Sequence, residues 1–313
     1  MKLKELNNPI SVLFKITSRC NKKCVFCSEI PFIENKRACL GYNEVINNFD
    51  YLRKRFNINS YILSGGEPTL HSEYFSILDF FSKQNVTLKI ITNLSKFNDN
   101  DFLKKHNKFF HKGRDWIILG SINNLPLEET DSNIAGLKNI LTSKFPISLI
   151  ILAYKNNLKE LPELLKYLEK LYSISRTSLK AELRLVYIND VCNRVMKAAP
   201  NDFKALSYCF SECMRIASHI NMSLTMWNFP ICYLNKIYHN LDPYIEKRKN
   251  VQVIKIDKDN QFGNYKLRDF RLFFYKSDEC KFCKFFNACS GINIKYINDF
   301  NFPRLKLVCH QYV

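Results

Sequence analysis

The chain lacks any apolar stretch long enough to cross a bilayer. Its longest, from Phe145 to Tyr154, spans ten residues, where a membrane helix needs about 20. The first residues, MKLKELNNPI, lead into a strand-like run and contain no apolar core of a secretory signal. These two absences give a cytoplasmic protein without a membrane partner as the expectation. Acidic residues are scarce: 29 Asp and Glu stand against 47 Lys and Arg, a formal net charge of +18. Such an excess can mark a nucleic-acid footprint. Here the lysines are spread along the whole chain, which favours a composition-wide bias. The densest basic patch runs from Lys104 to Arg114, with His106, Phe109, Phe110 and His111 interleaved. A basic surface also suits an acidic electron-donor protein or an acidic substrate. No fixed-period repeat and no low-complexity segment occurs, so neither a solenoid nor a disordered chain is expected.

What is present is enough apolar material for a large core: 313 residues, 46% hydrophobic and 14% aromatic. That suits one large domain, or one domain with a smaller companion. Short β-branched or aliphatic runs predict strands at Ser11–Ile16, Tyr61–Leu63, Thr87–Ile91, Trp116–Leu119, Ile147–Ala153 and Glu182–Ile188. Helical stripes lie between them. Leu158, Leu161, Leu164, Leu165, Leu168 and Leu171 form one, with Pro162 tolerable in its first turn. Ser72 is a candidate cap for the helix carrying Phe75, Leu78 and Phe81. Six strands alternating with helices imply a parallel sheet, which right-handed crossovers curl toward a barrel. In such a fold the site gathers at the C-terminal strand ends. A helix is expected from Asp202 to Ile220. Beyond it come Met222–Trp227 and a strand pair near Val251–Ile256 and Tyr265–Phe270. The division expected is a barrel over 1–220 and a small appended domain over 221–313.

Twelve cysteines are many for a reducing compartment, where clustered cysteines more often bind metal than form disulfides. Cys20, Cys24 and Cys27 follow the first strand with the spacing CxxxCxxC. Three thiolates that close can ligate three irons of a cubane cluster and leave the fourth iron open. A structural zinc site would close its shell with a fourth local ligand. After the next predicted strand comes Ser64-Gly65-Gly66-Glu67-Pro68, where the glycines permit a backbone shape that bulkier residues resist. The two motifs, in this order and each after a strand, resemble those of the radical S-adenosylmethionine (SAM) superfamily. The resemblance covers roughly residues 10 to 190. It implies an α/β fold, a partial (β/α)6 TIM-like barrel. It also implies a 4Fe-4S cluster on Cys20, Cys24 and Cys27, with SAM chelating the open iron. By the same resemblance Phe26 lies near the adenine, and Gly65, Gly66, Glu67 and Pro68 bind the methionine amino group. Thr92, Asn93, Ser121 and Arg184, with Asn156 after the fifth strand, would touch the ribose or methionine part.

A second group, Cys280, Cys283 and Cys289, has the spacing CxxC-x5-C. It resembles the SPASM and twitch extensions, which carry auxiliary 4Fe-4S clusters. A full SPASM domain has another cysteine where this chain has Asn293, so the resemblance implies a single, twitch-like auxiliary cluster. Cys232 and Cys309 compete as its fourth ligand, with Cys232 favoured by its place before the strand pair. Zinc is the competing metal, since CxxC serves both. Cys209 and Cys213, at i and i+4, read as one face of a buried helix. Cys39 and Cys192 show no pairing pattern, and no histidine has ligand spacing.

By resemblance, the cluster would receive a low-potential electron from a donor such as an acidic flavodoxin or ferredoxin. SAM would then be cleaved to a 5′-deoxyadenosyl radical that takes hydrogen from a substrate. Two substrate classes follow: a peptide or protein to be oxidised or crosslinked, and a small biosynthetic intermediate. The barrel begins within twelve residues of the start, so a peptide-modifying role leads one to expect a separate recognition protein. A metal-bearing RNA-binding protein is the alternative from outside enzymology.

Overall fold

The computed structural model describes residues 10–27, 29–34, 39–109, 115–123, 131–175, 179–185, 193–220, 222–233, 252–259, 261, 266–268, 274–283, 285–286, 289 and 291–302. Its first six strands are β1 (Ile10–Thr17), β2 (Ile58–Gly65), β3 (Leu88–Thr92), β4 (Trp116–Ser121), β5 (Ile147–Ala153) and β6 (Leu179–Leu185). All six are parallel and lie side by side in chain order. The helices that connect them include α2 (Tyr42–Arg53), α3 (Tyr74–Ser82), α4 (Asn100–Asn107), α5 (Ser132–Thr142) and α6 (Leu161–Ser175), after a short α1 (Ile30–Glu34). The result is the expected partial α/β barrel.

The sheet does not stop at six strands. After α7 (Asn193–Ala198) and α8 (Phe203–His219), β7 (Met222–Trp227) pairs in parallel with β6. On the opposite edge, β8 (Gln252–Ile256) pairs in parallel with β1, and β9 (Lys266–Arg268) pairs antiparallel with β8. The order β7-β6-β5-β4-β3-β2-β1-β8-β9 makes one nine-stranded sheet that runs on past residue 220. Among the described residues no pairing joins its two edges.

Alternation along each strand separates two faces. Val12, Phe14 and Ile16 of β1, with Tyr61 and Leu63 of β2, are fully buried with Phe49, Leu52, Ile77 and Phe81 in one continuous core. The residues between them form the inner face of the barrel. Register shows which share it: Leu13 pairs with Ile62, Ile62 with Lys89 and Lys89 with Ile117. Likewise Leu152 pairs with Arg184, and Arg184 with Trp227.

Local chemistry sets the helix ends. Asp99, Asp131 and Asp202 cap α4, α5 and α8 through backbone N–H groups of the first turn. Pro162 sits in the first turn of α6, as expected. Ser72 does not cap α3: the helix starts one residue later than a Ser72 cap requires, with Glu73 at the N-cap position. The Glu73 carboxylate instead accepts the Tyr42 N–H at the start of α2, at 2.9 Å. β6 begins three residues earlier than its hydrophobic run suggested, and residues 186–188 lie outside the described residues.

A small cysteine-bearing region follows β9. β10 (Phe274–Tyr275) pairs antiparallel with β11 (Ile292–Asn293), and α9 (Ile294–Phe300) follows directly. Aromatic packing seats it on α8: Phe203 meets Tyr233 at 4.5 Å and Phe302 at 5.3 Å between ring centroids. Tyr296 and Phe302 are buried in the same core.

Candidate functional site

Cys20, Cys24 and Cys27 sit on the loop that leaves the C-terminal end of β1. A Cys24 carbonyl bond to the Cys27 N–H (3.2 Å) turns this loop, and the Lys22 N–H donates to the Cys20 sulfur at 3.4 Å. Burial raises all three thiol pKa values, that of Cys27 to about 11. Cys20 adds to the rise at Cys24, and both add to the rise at Cys27. Ionised together, the three would repel one another in this half-buried place, a charge that a cationic iron group would neutralise. Among the described residues no three such groups already converge at metal-ligand spacing. Ser18, at the root of the loop, holds a buried hydroxyl with no partner among the described residues. A donor left over in that position fits a polar group that is not part of the chain.

The Gly65–Pro68 turn lies directly under this loop. Gly66 N–H bonds the Thr17 carbonyl and Glu67 N–H bonds the Arg19 carbonyl, both at 2.7 Å. A side chain on Gly65 would strike Thr17 O, and one on Gly66 would strike Arg19 O. Gly65 also has φ +128°, a conformation few other residues adopt. The two glycines are thus required by the close passage of the cysteine loop. Pro68 opens a 3-10 turn that is buried behind them.

Glu67 is 1% exposed. Its Oε1 accepts from Thr69 N (3.2 Å), Thr69 Oγ1 (2.7 Å) and Thr92 Oγ1 (2.7 Å), and its Oε2 accepts from Asn93 N at 2.7 Å. Burial pushes its pKa up, and these donors oppose the rise. The carboxylate, expected to face the cofactor, ties the β2 turn to the end of β3. Thr92 and Asn93, which the resemblance set against SAM, are brought to the motif through Glu67.

The other expected contacts are spread along the strand ends. Phe26 is buried against Tyr154, with ring centroids 4.8 Å apart, at the end of β5. Ser121 accepts from Asn123 Nδ2 at 2.7 Å. Asn123 Oδ1 takes the Leu152 N–H at 2.6 Å, and Asn157 Nδ2 donates to the Asn123 carbonyl at 2.8 Å. Asn157 is buried in this lattice whereas Asn156 is exposed, so the polar residue at the β5 end is one position later than expected. Arg184, on the inner face, is paired to Glu182 and stands 4.8 Å over the Trp227 ring. Lys15, also on the inner face, is ion-paired to Glu29 and lies 5.0 Å from the Phe32 ring centroid. Asn123, Asn157, Glu29 and Trp227 were not visible in the sequence, because each acts through partners far away in the chain.

The second cysteine group is assembled from two directions. Cys280 ends a turn where Ser277 Oγ lies 3.3 Å from its sulfur, and the Cys283 N–H bonds the Cys280 carbonyl at 3.0 Å. The Cys289 sulfur accepts N–H groups from Gly291, at 3.3 Å, and from Ile231. Burial raises the Cys289 pKa, and Cys283 adds to the rise. Ile231 is the immediate neighbour of Cys232. Tyr233, the residue on its other side, has a phenol pushed up by burial, with Cys232 and Cys280 adding to the effect. Ile231 thus brings the segment that carries Cys232 to Cys289, while Cys309 lies outside the described residues. Asn293, where a further cysteine was considered, is buried and caps α9 by accepting the Lys295 N–H at 2.9 Å. Cys209 and Cys213 are buried on α8, as expected, and Cys192 lies outside the described residues.

Comparison with known proteins agrees with this layout. Residues 14–120 match the model of the radical SAM superfamily. A tungsten-containing aldehyde ferredoxin oxidoreductase cofactor-modifying protein of Pyrococcus furiosus is 28% identical over 174 residues, 49% of this chain and 46% of that protein. The match thus spans less than half of that relative's length. Among solved structures, Streptococcus suis SuiB bound to SAM has a TM-score of 0.62 at 14% identity, over 97% of this chain and 77% of SuiB. The same protein bound to its precursor peptide SuiA has a TM-score of 0.59 at 16% identity, over 99% and 78%. Native anSMEcpe with bound AdoMet has a TM-score of 0.61 at 13% identity, over 97% and 94%. At these identities the structural likeness speaks for the fold. No helix among the described residues is long and apolar enough to cross a membrane.

Proposed function

We propose that this chain is a radical SAM enzyme that modifies a peptide or protein and carries one auxiliary 4Fe-4S cluster. The observation that carries the reading is the stacking of the Cys20–Cys27 loop on Gly65 and Gly66 at the C-terminal end of a parallel partial barrel. Cys20, Cys24 and Cys27 would hold three irons, and the Gly65–Pro68 turn with the β3 to β6 ends would seat SAM. When bound, the cluster supplies the electron that cleaves SAM to a 5′-deoxyadenosyl radical, which takes a hydrogen atom from the substrate. The residues do the rest. Phe26 against Tyr154 shields one side of the loop from water. The inner face offers a mostly apolar floor, Leu13, Ile62, Ile91 and Ile117 with Lys89 among them, below the polar rim of Ser121, Glu182 and Arg184. A reactive species is useful only where water and side chains are kept out of line with it.

Cys232, Cys280, Cys283 and Cys289 would close the auxiliary cluster. Four cysteine ligands leave no open iron, which favours electron transfer over substrate binding at that site. The peptide reading draws on SuiB, whose structure was solved with a precursor peptide. A small-molecule substrate is the second reading, favoured by the relative that is a cofactor-modifying protein. An acidic flavodoxin or ferredoxin would suit the +18 chain as electron donor.

The test is anaerobic reconstitution with iron and sulfide, then dithionite and SAM. The expected product is 5′-deoxyadenosine, absent after Cys20→Ala, Cys24→Ala or Cys27→Ala. A cluster-loaded wild-type protein that leaves SAM intact would overturn the reading and return weight to a metal-bearing RNA-binding protein.

A further inference from the structure

The loop that carries Cys20, Cys24 and Cys27 is anchored on one side by backbone, where Thr17 and Arg19 accept the N–H groups of Gly66 and Glu67. Its other side is held by side chains alone. Asn21, between the first and second cysteines, uses both ends of its amide: Oδ1 accepts from Asn93 Nδ2 and Nδ2 donates to Ser95 Oγ, each at 2.8 Å. Asn93 makes two further bonds. Its Oδ1 accepts the Ser95 N–H at 3.0 Å, and its own N–H goes to Glu67 Oε2 at 2.7 Å.

The turn that presents Asn93 and Ser95 is fixed in an unusual shape. Leu94, between them, has φ +69°, a left-handed conformation that a non-glycine residue adopts only at a cost. Four features hold it there. Its N–H bonds Thr92 Oγ1 at 3.1 Å, and its side chain is fully buried against Gly120. Its carbonyl lies where a side chain on Gly136 would be. Asn139 of α5 clamps the following turn by donating to the Phe97 carbonyl at 2.9 Å. A strained residue kept in place by several independent contacts marks a position whose geometry is used.

We propose that Asn21, Asn93 and Ser95 form a clasp that positions the cysteine loop, and that Asn93 serves the loop and not the cofactor directly. The proposal rests on reading this loop as the site of a SAM-binding iron–sulfur cluster. Sequence resemblance gave Asn93 a contact with SAM. Geometry gives its side chain to Asn21 and Ser95 and its backbone to Glu67. The clasp sets how far the Cys20 end of the loop stands from the β3 end, where Thr92 and Glu67 meet.

The experiment is a double-mutant cycle with Asn21→Ala, Asn93→Ala and the pair, in the full chain. Iron release to an excess of chelator should quicken about three- to tenfold in each single variant, the scale of one or two exposed hydrogen bonds. Because the two share a bond, the double variant should fall well short of the product of the singles. Ser95→Ala, which keeps the bond between Asn93 and Asn21 and loses the one from Asn21 to Ser95 Oγ, should lie between wild type and Asn21→Ala. SAM affinity should fall alike in Asn21→Ala and Asn93→Ala, since both act through the loop. In the metal-free protein, amide exchange at Gly66, Glu67 and Cys27 should quicken by a similar factor. That arm needs no cluster, so it decides the clasp even if wild type holds none, an outcome that would sink the enzyme reading instead. Multiplicative single effects would overturn the proposal. So would Asn93→Ala that weakens SAM binding with iron release unchanged and Asn21→Ala inert.

Discussion

His106 lies fully buried with Tyr74, Phe97, Phe102 and Phe145 around it, and Tyr74 Oη stands 3.1 Å from its Nε2. Burial pushes its pKa down to about 3, so the folded protein keeps the ring neutral. An unfolded chain protonates it near 6.5. Its contribution is therefore whole above pH 6.5 and shrinks as pH falls toward 3, by about 1.4 kcal/mol per unit. Urea unfolding at pH 7, 6 and 5 should show that loss in wild type. In His106→Phe the difference from wild type should narrow as the pH drops; a constant gap would contradict a buried neutral ring. At this scale the cysteines and the glycine pair were readable, because spacing and backbone freedom are local properties. His106 was not: the sequence sets it in a basic patch, and only tertiary packing removes it from solvent. Glu67 shows the same limit. Its residue type was visible, but two of the four hydrogen bonds that occupy it come from Thr92 and Asn93, at the end of the next strand.

Elements of secondary structure were legible where periodicity was strong, as in α6 and α8 and in strands β1 to β5. Ends were less so. Ser72 looked like a cap, yet Glu73 takes the N-cap position and its carboxylate serves α2. The three-residue shift of β6 has a plain cause: Ala181, Leu183 and Leu185 alternate toward the core, which the aliphatic run after Leu183 obscures. One contact between elements invites a test. Gly136 of α5 faces the Leu94 carbonyl so closely that an added methyl has no space. Gly136→Ala should push α5 from the β3 turn and lower stability by about 1–3 kcal/mol, against the modest gain in helix propensity. A thermal melt unchanged or raised would show that the turn yields.

At the scale of the whole molecule, the cysteine-rich region is joined to the barrel through α8 and its aromatic neighbours. Removing the proposed auxiliary cluster should therefore leave the first site working. Cys280→Ala with Cys283→Ala is expected to lower the iron count by one cluster while 5′-deoxyadenosine is still formed without substrate. Cys232→Ala should do the same and Cys309→Ala should not, as read by iron and sulfide analysis with Mössbauer spectroscopy. An unchanged iron count in all three would remove the auxiliary cluster from the account. The resemblance favoured Cys232 over Cys309, but the Ile231 N–H that reaches the Cys289 sulfur was not legible, since nothing local links the two segments.

β8 lies beside β1, and Ile10 pairs with Gln252, about 240 residues further along. At roughly 5–20 residues per second of synthesis, the outer edge of β1 waits on the order of ten to fifty seconds for its neighbour. Throughout that interval a strand of the sequence ISVLFKIT offers open N–H and C=O groups, the template for pairing with another chain. A sheet whose first strand finds its partner so late is slow to complete by topology alone. Yield of the intact protein should thus depend on chaperone supply and growth temperature well before it depends on iron.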